Sequence, residues 1–599
     1  MSKFYTQKNC SQHNTCGNSD KHKKKSPYLS GSRTIFIEDK TRPFDAFGLG
    51  VPDANLTSPS RGSVITADTR GTRILVTNVW YPVDRKSCIK KKYRKSFFYD
   101  FYFASGPNDT QAYNAFLNGL NVDGYSPEKA NVASNNMAYL RVYKAGVTSN
   151  TDPRYLEATQ LAFQSELNSY KDAPISKAGK FPVIILAHGN GDTRISFYRI
   201  GEYLASQGYM VMAFDSTGTA NQAFVTKDPL FAQSGNDFLF DSTQPGYAPN
   251  GFINAFGAYE IRSPPPVIGG STNASVIILR IQRNQMVVDD FNTILKELVR
   301  LDSEHHGFFR NSIDLCNIGT GGHSLGGGCA VARQSVANIK YYKDLPQVKA
   351  VFGQNAGAFL TSDFLRVITS TIDFNTLPFL QTGYINYVRV PVLNTPVYFY
   401  TGKQDDTLVR LQSVFVKTNG VPTPLPTALN PQPTTRETYE LSTAPAYYST
   451  YENSLHNTVN SFNPYQLFSR DFNPQMPDIL STQAYSLYVT PTQLVSTTSA
   501  GILIPDPNSV FTPVSQSQFQ RIFRFLNQNF YDAFLKCETK DAFKIVKQRI
   551  EPRIRIEARN LCLLKENPYD CRDKDCTDNC RDDCSNNYRD SDCSDDCSD

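Results

Sequence analysis

A serine stands at the centre of Gly322-His323-Ser324-Leu325-Gly326, and that G-x-S-x-G spacing has a chemical meaning when it falls between a buried strand and a helix. Residues 313–319 read as the strand, and the small residues of about 329–338 as the helix. A serine on so sharp a turn takes strained backbone angles, and strand and helix pass so closely that a side chain at either glycine collides. The turn brings the hydroxyl to the sheet edge and aims the N–H of Leu325 into the cleft, where a helix N-terminus favours developing negative charge. Such a serine is suited to attack on an acyl carbonyl. A phosphate loop is excluded, because no Gly-Lys-Ser/Thr follows.

A serine hydroxyl is a poor nucleophile until a base takes its proton. In a strand-turn-helix site of this kind the chain order is serine, acid, histidine. Of the seven histidines (His13, His22, His188, His305, His306, His323 and His456), only His456 follows Ser324, so it is the expected base. The acid should lie just beyond a strand between these two. Gly402-Lys403-Gln404-Asp405-Asp406 follows the apolar run Pro396-Val397-Tyr398-Phe399-Tyr400 and offers adjacent carboxylates. Spacing to Val409 favours Asp406, with Asp405 as the other candidate. The second oxyanion donor is expected at the N–H of Asn190, in His188-Gly189-Asn190-Gly191, as partner to that of Leu325. His188 and His323 precede the acid and read as structural. This chemistry needs no metal and no organic cofactor.

Short apolar runs alternate with amphipathic stretches, which predicts a mostly parallel sheet with helices on both faces. Strands are expected at 73–80, 181–187, 209–215, 313–319, 348–353 and 396–402. Helices are expected at 195–206, 276–301, 329–338 and 515–536. The order of parts is a polar, basic N-terminal tail over 1–32 and a main domain over 33–537. Insertions interrupt that domain at about 85–170, 217–275, 410–450 and 457–512. A basic extension over 538–564 and an acidic, Cys-rich low-complexity tail over 565–599 complete the chain.

Val79-Trp80-Tyr81-Pro82, His188-Gly189-Asn190-Gly191, the helix before the serine turn and Gly322-His323-Ser324-Leu325-Gly326-Gly327 together resemble the α/β-hydrolase superfamily over roughly 65–535. The nearest groups are the platelet-activating-factor acetylhydrolases, dienelactone hydrolases and cutinase-like esterases. The resemblance implies the α/β-hydrolase fold and cleavage of a carboxylic ester or related acyl bond through a Ser-His-Asp triad and an acyl-enzyme. There is a departure. Acetylhydrolases of that type carry their acid after the strand that follows the serine helix, and here that place is held by Asn355. The acid therefore moves to Asp405 or Asp406, as in the cutinase-like and dienelactone groups. The competing reading is a catalytically silent protein that keeps the fold for a structural or binding role.

Composition bounds the remaining possibilities. With 599 residues, 40% apolar and 12% aromatic, the chain can bury a sizeable core. No run approaches the roughly 18 apolar residues of a membrane span, and residues 1–25 hold no apolar leader, so an intracellular location is expected. Net charge is +5, but residues 571–599 hold ten Asp against four Lys/Arg, together with six of the thirteen cysteines in spacings that match no zinc pattern. The body is cysteine-poor, and disulfide links in it are not expected. The basic, aromatic stretch 85–108 reads either as a strand pair with a solvated loop or as a lid that touches an anionic or membrane surface. A small-molecule or lipid ester is the expected partner, and specific nucleic-acid binding is not expected. Abundant Tyr and Phe beside a single Trp resemble the product of an AT-rich genome such as that of a giant DNA virus, which implies a place in the virion.

Overall fold

The computed structural model describes residues 26–43, 72–97, 100, 165–189, 193–216, 274–357, 389–402, 415–418, 421–424, 431–452, 454, 494–497, 503–505, 514, 516–547 and 551–564. In chain order the elements are β1 (Leu29–Pro43), β2 (Thr72–Val83), α1 (Ser87–Lys92), β3 (Lys95–Phe97), β4 (Glu166–Lys171), β5 (Phe181–Ala187), α2 (Tyr198–Ser206) and β6 (Met210–Phe214). Then come α3 (Ala274–Ser303), β7 (Ile313–His323), α4 (Ser324–Arg333), α5 (Val336–Ile339), β8 (Val348–Gln354) and β9 (Val397–Gly402). The rest are β10 (Phe415–Thr418), β11 (Val421–Pro424), α6 (Pro431–Leu441), β12 (Ala446–Tyr451), β13 (Leu494–Thr497), β14 (Leu503–Pro505), α7 (Gln516–Leu535), α8 (Thr539–Lys547) and β15 (Ile554–Arg559).

Eleven strands form one sheet in the order β15-β12-β9-β8-β7-β5-β6-β2-β1-β4-β3. From β6 to β12 the neighbours are parallel, while β2 runs antiparallel to both β6 and β1. Within the stretch from β1 to β12 the fourth strand lies before the third and the second is reversed, which is the topology of the α/β-hydrolase fold. Side chains alternate across each strand. Ile184 and Leu186 enter one core with α2, α7 and α8, while Val183, Ile185 and Ala187 enter another with α3 and α4. Both faces are thus covered, which is why β5 (FPVIILA) is apolar throughout. Phe352, Tyr398 and Tyr447 stack across neighbouring strands, at 4.6 and 5.5 Å between ring centroids, under Phe530 of α7.

Some boundaries differ from those read in the sequence. β7 continues through the glycines to His323, and its helix starts at Ser324 rather than near 329. β1 begins at Leu29, so the sheet takes up the last residues of the stretch read as a tail. β12 begins within the expected insertion 410–450 and ends one residue past it, and β15 lies within the basic extension, where Ala542 and Ile545 of α8 are also buried in the core. In the basic, aromatic stretch, β3 pairs with β4, and Lys90, Lys91 and Lys92 are exposed. Cys316 of β7 is disulfide-bonded, so the expectation of a body without such links fails there. Among the described residues no helix is long and apolar enough to cross a membrane. Residues 1–25 and 565–599 lie outside those described.

Candidate active site

Parallel register brings the ends of four strands to one edge. His323 of β7 is opposite Gln354 of β8, Gln354 is opposite Tyr400 of β9, and Gly402 is opposite Tyr451 of β12. Ser324, Asn355, the Asp405-Asp406 pair and His456 follow these ends in that order.

Ser324 has φ +50°, a conformation that costs a non-glycine residue about 1–3 kcal/mol. Crowding around it explains why the turn persists. A Cβ on Gly322 would stand 2.3 Å from the Ala187 carbonyl oxygen, and one on Gly326 2.2 Å from the same atom. The Gly326 N–H donates to the His188 carbonyl at 3.1 Å, and the Gly357 N–H to the Ser324 carbonyl at 3.0 Å. Ser324 is half-buried between buried His323 and Leu325, and as the first residue of α4 it stands where main-chain N–H groups lack helical partners. Gly189 comes up beside it, since a Cβ there would lie 3.1 Å from the Ser324 Cβ.

His188 is buried and structural in its bonding. Its Nε2 accepts the Ser216 N–H at 3.0 Å, and Nδ1 is 2.6 Å from the Gly189 carbonyl oxygen. Asp215, which precedes Ser216, pairs with the buried Arg194 guanidinium and accepts the Arg194 N–H at 2.7 Å. Burial pushes the Asp215 carboxyl up despite Arg194. Behind Ser216 lies Asp290 of α3. Burial alone would raise its carboxyl, but Arg73 and Arg42 outweigh that and hold it below its ordinary value. None of Asp215, Ser216, Asp290 and Arg73 was expected at the site. The only sequence signal was charge inside apolar elements, with Arg73 opening a strand and Asp290 within a helix.

On the acid side, Asn355 has φ +43°, and its Oδ1 accepts the Gly402 N–H at 2.7 Å. An amide there ties the end of β8 to the end of β9. Ser454 joins the same place. Its Oγ is 2.7 Å from the Tyr400 hydroxyl, and its carbonyl oxygen would be 2.4 Å from a Cβ on Gly402. Asn190, Asp405, Asp406 and His456 lie outside the described residues, whereas Ser324 and Leu325 lie at the turn where they were expected.

The family described as platelet-activating factor acetylhydrolase, isoform II, matches residues 145–242. That stretch holds β4, β5, α2 and β6 and ends before Ser324, so it includes Gly189 and leaves out the serine turn. Among solved structures, a ferulic acid esterase from Streptomyces cinnamoneus covers 85% of this chain and 91% of its own at 16% identity, with a TM-score of 0.40. The fold assignment rests on strand order rather than on that distant likeness. No curated protein matches the chain. The family match supports an ester hydrolase in general terms, and neither match speaks for a viral source.

Proposed function

We propose that the protein is a serine hydrolase of carboxylic esters, with Ser324 as nucleophile, His456 as base and Asp406 or Asp405 as the orienting acid. The observation that carries this is the contact between Gly402 and Ser454, which sets the residue two before His456 against the end of β9, the strand that Asp405 and Asp406 follow in sequence. From β9 back to β7 is two strand spacings, about 10 Å. The two residues from Ser454 to His456 can span up to about 7 Å, and the imidazole adds its own length, a reach compatible with a base acting on Ser324.

In the proposed reaction the Ser324 Oγ attacks the ester carbonyl while His456 takes its proton. The oxyanion is stabilised by the N–H groups of Asn190 and Leu325. Collapse expels the alcohol, which receives the proton from His456, and leaves an acyl-serine. A water activated by His456 then releases the carboxylic acid. The substrate is a small-molecule or lipid ester. An anionic or membrane surface would be met by exposed Lys90, Lys91 and Lys92.

Ser324→Ala should lower turnover of p-nitrophenyl butyrate by roughly 10⁴ to 10⁶ and abolish labelling by a fluorophosphonate probe. Turnover in that variant close to the parent's would sink the mechanism. Folded parent protein that resists the probe would favour the silent scaffold.

A further inference from the structure

The segment that leaves β5 beside Ser324 is tied at both described ends to two consecutive residues after β6. At one end Ser216 donates its N–H to the His188 Nε2 at 3.0 Å. A main-chain N–H only donates, so Nε2 holds the lone pair. Nδ1 therefore carries the proton and gives it to the Gly189 carbonyl at 2.6 Å. At the other end Asp215 accepts the Arg194 N–H at 2.7 Å. Ser216 is fixed from behind, because its Oγ donates to the Asp290 Oδ2 at 2.6 Å. Asp290 in turn receives two bonds of 2.6 Å from Arg73 and one of 2.8 Å from Arg42. His188, Asp215, Ser216, Asp290 and Arg73 are all buried.

We propose that Asp290, acting through Ser216 and His188, is a positioning residue that holds the main chain at Gly189 against Ser324, with Arg73 as its counter-charge. The inference rests on the esterase reading. Oxyanion stabilisation depends on donors fixed before the reaction begins, and a shift of about 1 Å can cost about 10² in rate. A chain of hydrogen bonds whose far end is charge-assisted, anchored on β2 and α3, supplies that fixity without touching the substrate.

The test compares Ser216→Ala, Ser216→Thr and Asp290→Asn in the full chain. It reads kcat and KM for p-nitrophenyl butyrate, the inhibition constant of a trifluoromethyl ketone that forms a tetrahedral adduct, and Tm. Ser216→Ala should lower kcat and inhibitor affinity together, each by about tenfold, with KM and Tm close to the parent's and with Ser216→Thr restoring both. Asp290→Asn leaves two guanidinium groups short of charge and can fail to fold. Ser216→Ala keeps the Arg73–Asp290 pair and so keeps the test. Parental kcat in Ser216→Ala, or a loss of kcat that follows Tm while inhibitor affinity stays intact, overturns the proposal. Ser324→Ala run alongside separates the two failures: an inactive Ser324→Ala beside an unimpaired Ser216→Ala removes only the positioning role, whereas an active Ser324→Ala removes the esterase reading and this inference with it.

Discussion

At Gly326 any side chain would press on two carbonyl oxygens, those of Ala187 and His188, at 2.2 and 2.5 Å. That local steric demand is why the serine turn was legible in sequence: the motif spells out a crowding that holds wherever strand meets helix so tightly. The proposed acid was only half legible, because Asp405 and Asp406 are adjacent and follow the same strand, and spacing to Val409 favours Asp406 without setting Asp405 aside. Substitution can. Asp406→Asn should lower kcat by about 10⁴, and Asp405→Asn by less than about tenfold, in steady-state assays. The reverse pattern would assign the acid to Asp405, and small effects in both would place it elsewhere. Asn355 shows the value of reading a departure from a family pattern. It stands at the expected strand end, where its Oδ1 accepts the Gly402 N–H.

Elements were recognised where apolar runs were dense, as in β5, β6, β8 and β9, and missed where they were not. β12 (AYYSTY) is an interior strand between β9 and β15, yet its hydroxyl-rich sequence falls where an insertion is expected. Its tyrosines are buried by α7 on one face and by α6 on the other, a burial that only the packed sheet provides. The end of this strand matters to the site, because Ser454 follows it and meets Gly402. Gly402→Ala would push a methyl carbon into the Ser454 carbonyl oxygen and force Gly402 and Ser454 apart. The expected outcome is a fall in kcat of about 10² with a folded far-UV circular dichroism spectrum. Unchanged kcat would detach the Gly402–Ser454 contact from catalysis.

The whole molecule buries charge as well as apolar surface. Arg42, Arg73, Asp39 and Asp290 form a network of opposed charges between β1, β2 and α3. Asp289 lies beside it, and burial, with the charge of Asp290 adding to it, pushes its carboxyl from 3.8 up to about 6. The folded state thus holds this proton more tightly than the unfolded chain. The associated stability is fully present below about pH 3.8 and is lost as pH rises through about 6, a cost of about 3 kcal/mol above that range. Asp289→Asn should therefore raise stability by up to about 3 kcal/mol at pH 8 and change it little at pH 4, read from denaturant melts at both pH values. Equal shifts at the two pH values would reject this account. By itself the sequence located the serine turn and the run of parallel strands and nominated His456 as the proposed base, because glycine sterics, two-sided burial and chain order all leave marks along a single stretch of chain. Tertiary structure alone decided the bracing of the site. Asp290 meets Ser216 across 74 residues and Arg73 across 217, and such pairs form only once strand order has brought distant segments to the same edge of the sheet.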